Sequence, residues 1–110
     1  MKYEADGNVL KLNGREIEFP EPIEEVVEFD KAYVVMFTKE NDYSIHNIVA
    51  LDVNGNQLWN IADVIKLGGP EAYVGLWKKN DRHVWVRSLS GVETTFDVYT
   101  KEVIEKILNR

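Results

Sequence analysis

NIVALDVNGNQLWNI, residues 47–61, decides how the rest of the chain is read. It divides at Asn54-Gly55. Before the turn, Ile48, Val49, Leu51 and Val53 form an extended, largely apolar run. After it come Leu58, Trp59 and Ile61. Asn-Gly is a strong hairpin signal, because a two-residue type I′ loop needs positive φ at both central positions. Asn tolerates that conformation, and glycine has no Cβ to oppose it. A central β-hairpin is predicted here.

Working outward toward the N-terminus, Asn8 to Phe19 has the same grammar. Leu10 and Leu12 alternate with polar neighbours, Asn13-Gly14 turns, and Ile17 and Phe19 alternate with Glu16 and Glu18. Period-2 alternation means one buried and one wet face. Pro20 and Pro22 end the strand, since proline cannot donate to a ladder. Ile23 to Phe29 has helix-like spacing at Ile23, Val26 and Val27, but it is short and Val-rich and is read as a strand. Asp30-Lys31 turns it into Ala32–Thr38 (AYVVMFT), a nearly continuous apolar run that fits a strand buried on both faces. Lys39 to His46 is polar and reads as an exposed loop.

Toward the C-terminus, Val64, Ile65 and Leu67 form a strand extension or one helical turn, broken at Gly68-Gly69-Pro70. Ala72–Lys78 and His83–Leu89 pair across a turn at Asn80-Asp81. Ser90-Gly91 turns into Thr94, Phe96 and Val98, alternating with Glu93, Thr95 and Asp97. In the tail, Thr100 to Arg110, Val103, Ile104, Ile107 and Leu108 fit either a helical face or a strand. The tight turns at Asn13-Gly14, Asn54-Gly55 and Ser90-Gly91 recur about every 40 residues, as in four-stranded units. The flanking patterns match only loosely, so they are repeated hairpin grammar. The expectation is a single all-β domain over residues 1–110. About nine short strands would form an antiparallel meander, closing as a small barrel or as two packed sheets. Exposed edge strands would permit a homodimer by edge pairing.

At 110 residues the chain can bury a core without staples. It has no cysteine, which excludes disulfides, a thiolate nucleophile and Cys-ligated zinc, and fits a cytoplasmic location. The N-terminus shows no apolar signal segment, and no apolar run reaches bilayer length. The net charge of −6 argues against nucleic acid and anionic membranes, and it suits a basic protein partner.

The chain is poor in catalytic constellations. His46 and His83 lack metal-ligand spacing. His83 stands near Asp81, and such a pair could form a general base. There is no Gly-x-Ser-x-Gly elbow and no phosphate loop. Asp52, Asn54 and Asn56 alternate like calcium ligands but lack the rest of that loop. No metal or cofactor is expected. The clustered glutamates Glu16, Glu18, Glu21, Glu24, Glu25 and Glu28 read as solvated strand faces. The aromatics are the better lead. Trp77, Trp85 and Tyr73 lie on strands, and an outward Trp85 beside His83 and Arg87 would have the composition of a binding hot spot.

The stretch Asn47–Ile61 resembles a motif of small uncharacterised bacterial proteins: Asn, apolar, x, Ala, x, Asp, x, x, Gly, x, x, apolar, Trp, x, Ile. FDVYTKEVI at 96–104 is similar to their ending, with Lys101 where those chains usually carry glycine. The resemblance implies a strand for the tail. A single hairpin also looks like part of a quinoprotein-type β-propeller blade, from which no quinone chemistry carries over. The expected function is a non-catalytic protein-binding module, acting as an immunity protein or regulator does, through Trp85, Arg87, His83, Trp77 and Tyr73. The alternative is a small-ligand-binding β-barrel with its pocket inside.

Overall fold

The apolar run at 33–37 (YVVMF) is the centre of the molecule, and everything else is layered on its two faces. The computed structural model describes residues 3–38, 46–66 and 71–108. Their eleven strands pair antiparallel in three sheets. Sheet A holds β1 (Tyr3–Asp6), β2 (Val9–Leu12) and β3 (Arg15–Glu18). Sheet B holds β4 (Ile23–Glu28), β5 (Tyr33–Phe37), β6 (Ile48–Leu51) and β7 (Gln57–Asn60). Sheet C holds β8 (Tyr73–Lys78), β9 (His83–Ser88), β10 (Val92–Asp97) and β11 (Val103–Leu108). Each is a plain meander, with neighbours in chain order. The only helical element among the described residues is a 3-10 turn at Ile61–Asp63. No helix among them is long and apolar enough to cross a membrane.

Sheet B lies in the middle, so its central strands have no wet face. Val34, Met36, Ile48, Ala50 and Trp59 pack with Leu76, Val84, Val86 and Phe96 of sheet C. The alternate residues Val35, Val49 and Leu51 pack with Leu10 of sheet A, joined by Ile17 and Phe19. The expected two-sheet closure is therefore three layers. The described strands close no barrel, and the space between sheets B and C is filled by buried side chains. A ligand pocket inside a barrel is thus overturned.

Two buried polar clamps lock sheet B to sheet C. The Asn47 amide donates to Phe37 O (2.8 Å) and Tyr73 O (3.0 Å), and its Oδ1 accepts from Tyr73 N at 2.7 Å. Trp59 Nε1 donates to Val98 O at 2.8 Å, with its ring edge-on to Phe96.

The predicted hairpins are present, with one turn revised. Asn13 and Gly14 both have positive φ (50° and 83°), as a type I′ loop requires. At the central hairpin only Gly55 does (88°). There the Asp52 carboxylate accepts from the N–H groups of Asn54 and Asn56, both at 2.9 Å, and organises a wider loop. Those hydrogen bonds, Asn56 N–H foremost, hold the Asp52 carboxyl below its ordinary range. Its oxygens cap a turn and are not set out as cation ligands. Two other sequence readings, the loop over 39–45 and the break at Gly68-Gly69-Pro70, lie outside the described residues. The tail is a strand, as the resemblance implied. The 40-residue spacing marks no structural repeat. Its turns fall in the β2–β3, β6–β7 and β9–β10 hairpins, which are different positions within their sheets.

Candidate functional site

Sheet A covers one side of sheet B, and sheet B covers the inner side of sheet C. Nothing among the described residues covers the outer side of sheet C. Strand alternation places His83, Trp85 and Arg87 of β9 on that outer side, while Val84, Val86 and Ser88 point inward and are buried. Register then builds the face row by row. Trp77 of β8 stands opposite Trp85, which stands opposite Thr95 of β10, which stands opposite Glu105 of β11. In the adjacent row, Gly75, Arg87, Glu93 and Ile107 follow one another.

Trp77 is 66% exposed, the most exposed large apolar side chain among the described residues. Trp85 is half-buried and held at both ends. Its Nε1 donates to Glu93 Oε1 at 3.1 Å. Its six-membered ring reaches back over β8, where a Cβ on Gly75 would stand only 3.0 Å from Cζ3. Glycine at 75 is what lets the indole settle on the sheet. A fixed aromatic body with a polar anchor loses little side-chain entropy on binding, which is why Trp and Arg dominate interface energetics. The exposed Arg87 lies beside it.

His83 caps the β8–β9 turn. Its Nδ1 lies 3.1 Å from the Asn80 amide, which donates to it, so the ring pairs with Asn80 and not with Asp81. The neighbouring Arg82 grips Asp97 through Nε (2.9 Å) and Nη2 (3.3 Å), and lies 5.0 Å from the Tyr99 ring. Burial pushes the Asp97 carboxyl up. The N–H of Thr100, the Arg82 guanidinium and the N–H of Tyr99 outweigh it and hold the group at about 2.

Of the five residues the sequence singles out, the structure brings Trp77, His83, Trp85 and Arg87 together. Tyr73 is a correction. It is 2% exposed, in the core between sheets B and C, and burial with the nearby Glu71 charge pushes its hydroxyl up to about 12. The reason is a β-bulge. Tyr73 pairs with Ser88 and Gly75 with Arg87, so Val74 is an extra residue that reverses the alternation. Nothing in the sequence singles out Gly75 or Glu93, whose roles appear only once cross-strand register is known. A concavity open to solvent at one end of the sheets is lined by Phe29, Lys31, Lys78, Asp81, Arg82 and Tyr99 among others. Its charges are mixed in sign, and Lys78 is spent on Glu28 O and the Phe29 ring. No cluster of three metal-ligating side chains occurs among the described residues.

The family model for a domain of unknown function (DUF7957) matches residues 1–108. No curated protein matches the chain.

Proposed function

We propose that this chain, which belongs to the DUF7957 family, is a non-catalytic protein-binding module whose contact surface is the outer face of sheet C. The observation that carries the reading is the uncovered Trp77–Trp85 pair beside Arg87 and His83, on a sheet face that no other layer shields. Exposing a tryptophan to water forfeits on the order of 2 kcal/mol of burial energy. A face that does so with a pre-anchored neighbour is arranged for a partner.

The partner is a basic protein. Residues 3–28, which form sheet A and β4, carry eight of the nineteen acidic residues and two of the thirteen basic ones. The remaining eleven of each cancel, so the whole net charge of −6 resides there. Such a field steers a basic partner toward the molecule, while the aromatic face supplies the short-range contact.

The test is affinity capture on the immobilised chain with quantitative mass spectrometry, comparing wild type, Trp77→Ala and Lys11→Ala. Lys11 lies on the far face of sheet A and serves as control. A basic partner retained by wild type and Lys11→Ala, and reduced at least tenfold by Trp77→Ala, is the expected result. Equal retention by all three removes sheet C as the contact surface.

A further inference from the structure

The outer strand of sheet C is uncovered in three directions at once. β11 pairs only with β10, and no other strand among the described residues bonds its far edge. Sheet B ends at β7, which lies against β10 through the Trp59 contacts with Phe96 and Val98. β11 therefore projects past the sandwich, with its inner side bare as well. Val103, Ile104, Ile107 and Leu108 are 41–61% exposed, and every residue of the strand is exposed. Proteins ordinarily protect such an edge.

The side-chain pattern along this edge says what kind of strand would complete it. Thr95 pairs with Glu105 and Phe96 with Val103, so Ile104 is a bulge residue. Asp97 N–H donates to Glu102 O, which places Glu102 opposite Asp97. Glu102, Glu105 and Ile107 therefore point outward, with Thr95 and Glu93. Val103, Lys106 and Leu108 point inward, with Phe96 and Thr94. The outward side is acidic and the inward side is apolar around one lysine. A second copy of the chain fits poorly. A two-fold axis normal to the sheet sets one residue opposite its own copy, and at Glu105 or Lys106 that is a like-charge pair. At Ile107 it leaves Lys106 facing Leu108.

The geometry points to β11 as the acceptor of an extended segment from a basic protein. The segment would add antiparallel as a fifth strand of sheet C, with Lys or Arg over Glu102 and Glu105 and apolar residues against Val103 and Leu108. This rests on the protein-binding reading and names the partner's chemistry. Main-chain bonds to the free edge would supply affinity, and the two glutamates would supply the choice of basic side chains.

The test uses the full chain and two synthetic peptides. Val-Thr-Glu-Lys-Val-Lys, antiparallel to β11 from Leu108 to Glu102, places lysines over both glutamates. Val-Thr-Lys-Glu-Val-Glu reverses every charge. Amide chemical-shift changes are followed in wild type, Glu105→Lys and Lys11→Ala. The expected result is shifts centred on β11, at least fivefold tighter binding of the first peptide, and a reduced or inverted preference in Glu105→Lys. Lys11→Ala should bind as wild type does, and loss of the tryptophan face is read separately by the capture experiment, so the two failures are separate outcomes. Equal binding of both peptides, shifts centred elsewhere, or no shift at millimolar peptide overturns the proposal. So does sedimentation showing a dimer whose protected amides lie in β11, which would assign the edge to a second copy.

Discussion

Lys101 sits in the left-handed region, at φ 69°, in the turn that leads into β11. A side chain there meets the following carbonyl and costs on the order of 1 kcal/mol, which glycine avoids. The turn keeps its shape because Asp97 holds it. Its carboxylate accepts from Tyr99 N–H and Thr100 N–H, and its main-chain oxygen accepts from Lys101 N–H at 2.8 Å. Lys101→Gly should raise stability by roughly 0.5–1 kcal/mol in urea unfolding, with an unchanged m-value. Asp97 itself gives a pH signature. Its folded value of about 2 lies below the ordinary 3.8. A lowered carboxylate stabilises the fold above its unfolded value and loses that contribution as pH falls through the folded value. The window is therefore pH 4 down to pH 2. With Arg82 half-exposed to solvent, the contribution is on the order of 1–2 kcal/mol. Asp97→Asn should be less stable than wild type by about that much at pH 7. The gap should narrow toward pH 2.5, and a gap constant over that range would refute the charge-based account.

At the scale of single elements, most of sheet B was legible and much of sheet C's edge was not. β5 reads correctly because five consecutive apolar residues suit only a strand with two dry faces, and both faces are indeed covered. β1 escapes because Glu4, Ala5 and Asp6 carry no apolar alternation, and β1 holds its place by pairing with β2. The bulge at Val74 is invisible to periodicity, which groups Tyr73 with Trp77 on a face it turns away from. The Asn54-Gly55 loop departs from type I′ because Asp52, two residues upstream, offers its own acceptors. In the sequence Asn47 marks only the start of the central hairpin, yet its side chain is a polar link between sheets B and C. Replacing it with alanine leaves Phe37 O and both main-chain groups of Tyr73 without that partner in a buried setting. Asn47→Ala should cost about 2–4 kcal/mol in chemical unfolding. An effect under 1 kcal/mol would mean that water replaces the amide there.

Across the whole molecule, layer order determines which parts open first. Among the described residues, sheet B is the only layer packed on both faces, and its β5–β6 pair is buried almost throughout. Sheet A packs on one face, and its opposite face sets Glu4, Asp6, Glu16 and Glu18 around Lys11, which reaches Glu16 only at 4.0 Å. That repulsion loads the outer layer and leaves the middle one untouched. The outward side of sheet C also lacks cover, and β11 contributes no buried side chain. Opening free energy follows buried apolar contact within each cooperative unit. Native-state amide exchange should therefore rank the paired amides of β5, β6 and β9 slowest, near the global unfolding limit. Sheet A should exchange by a smaller opening that 0.5 M NaCl slows through screening of its acidic face. β11 should be the fastest strand of sheet C. Protection in β11 equal to that of β9 in the isolated chain would mean that its far edge is already occupied. The strand-acceptor role assigned to that edge would then fail on the same measurement.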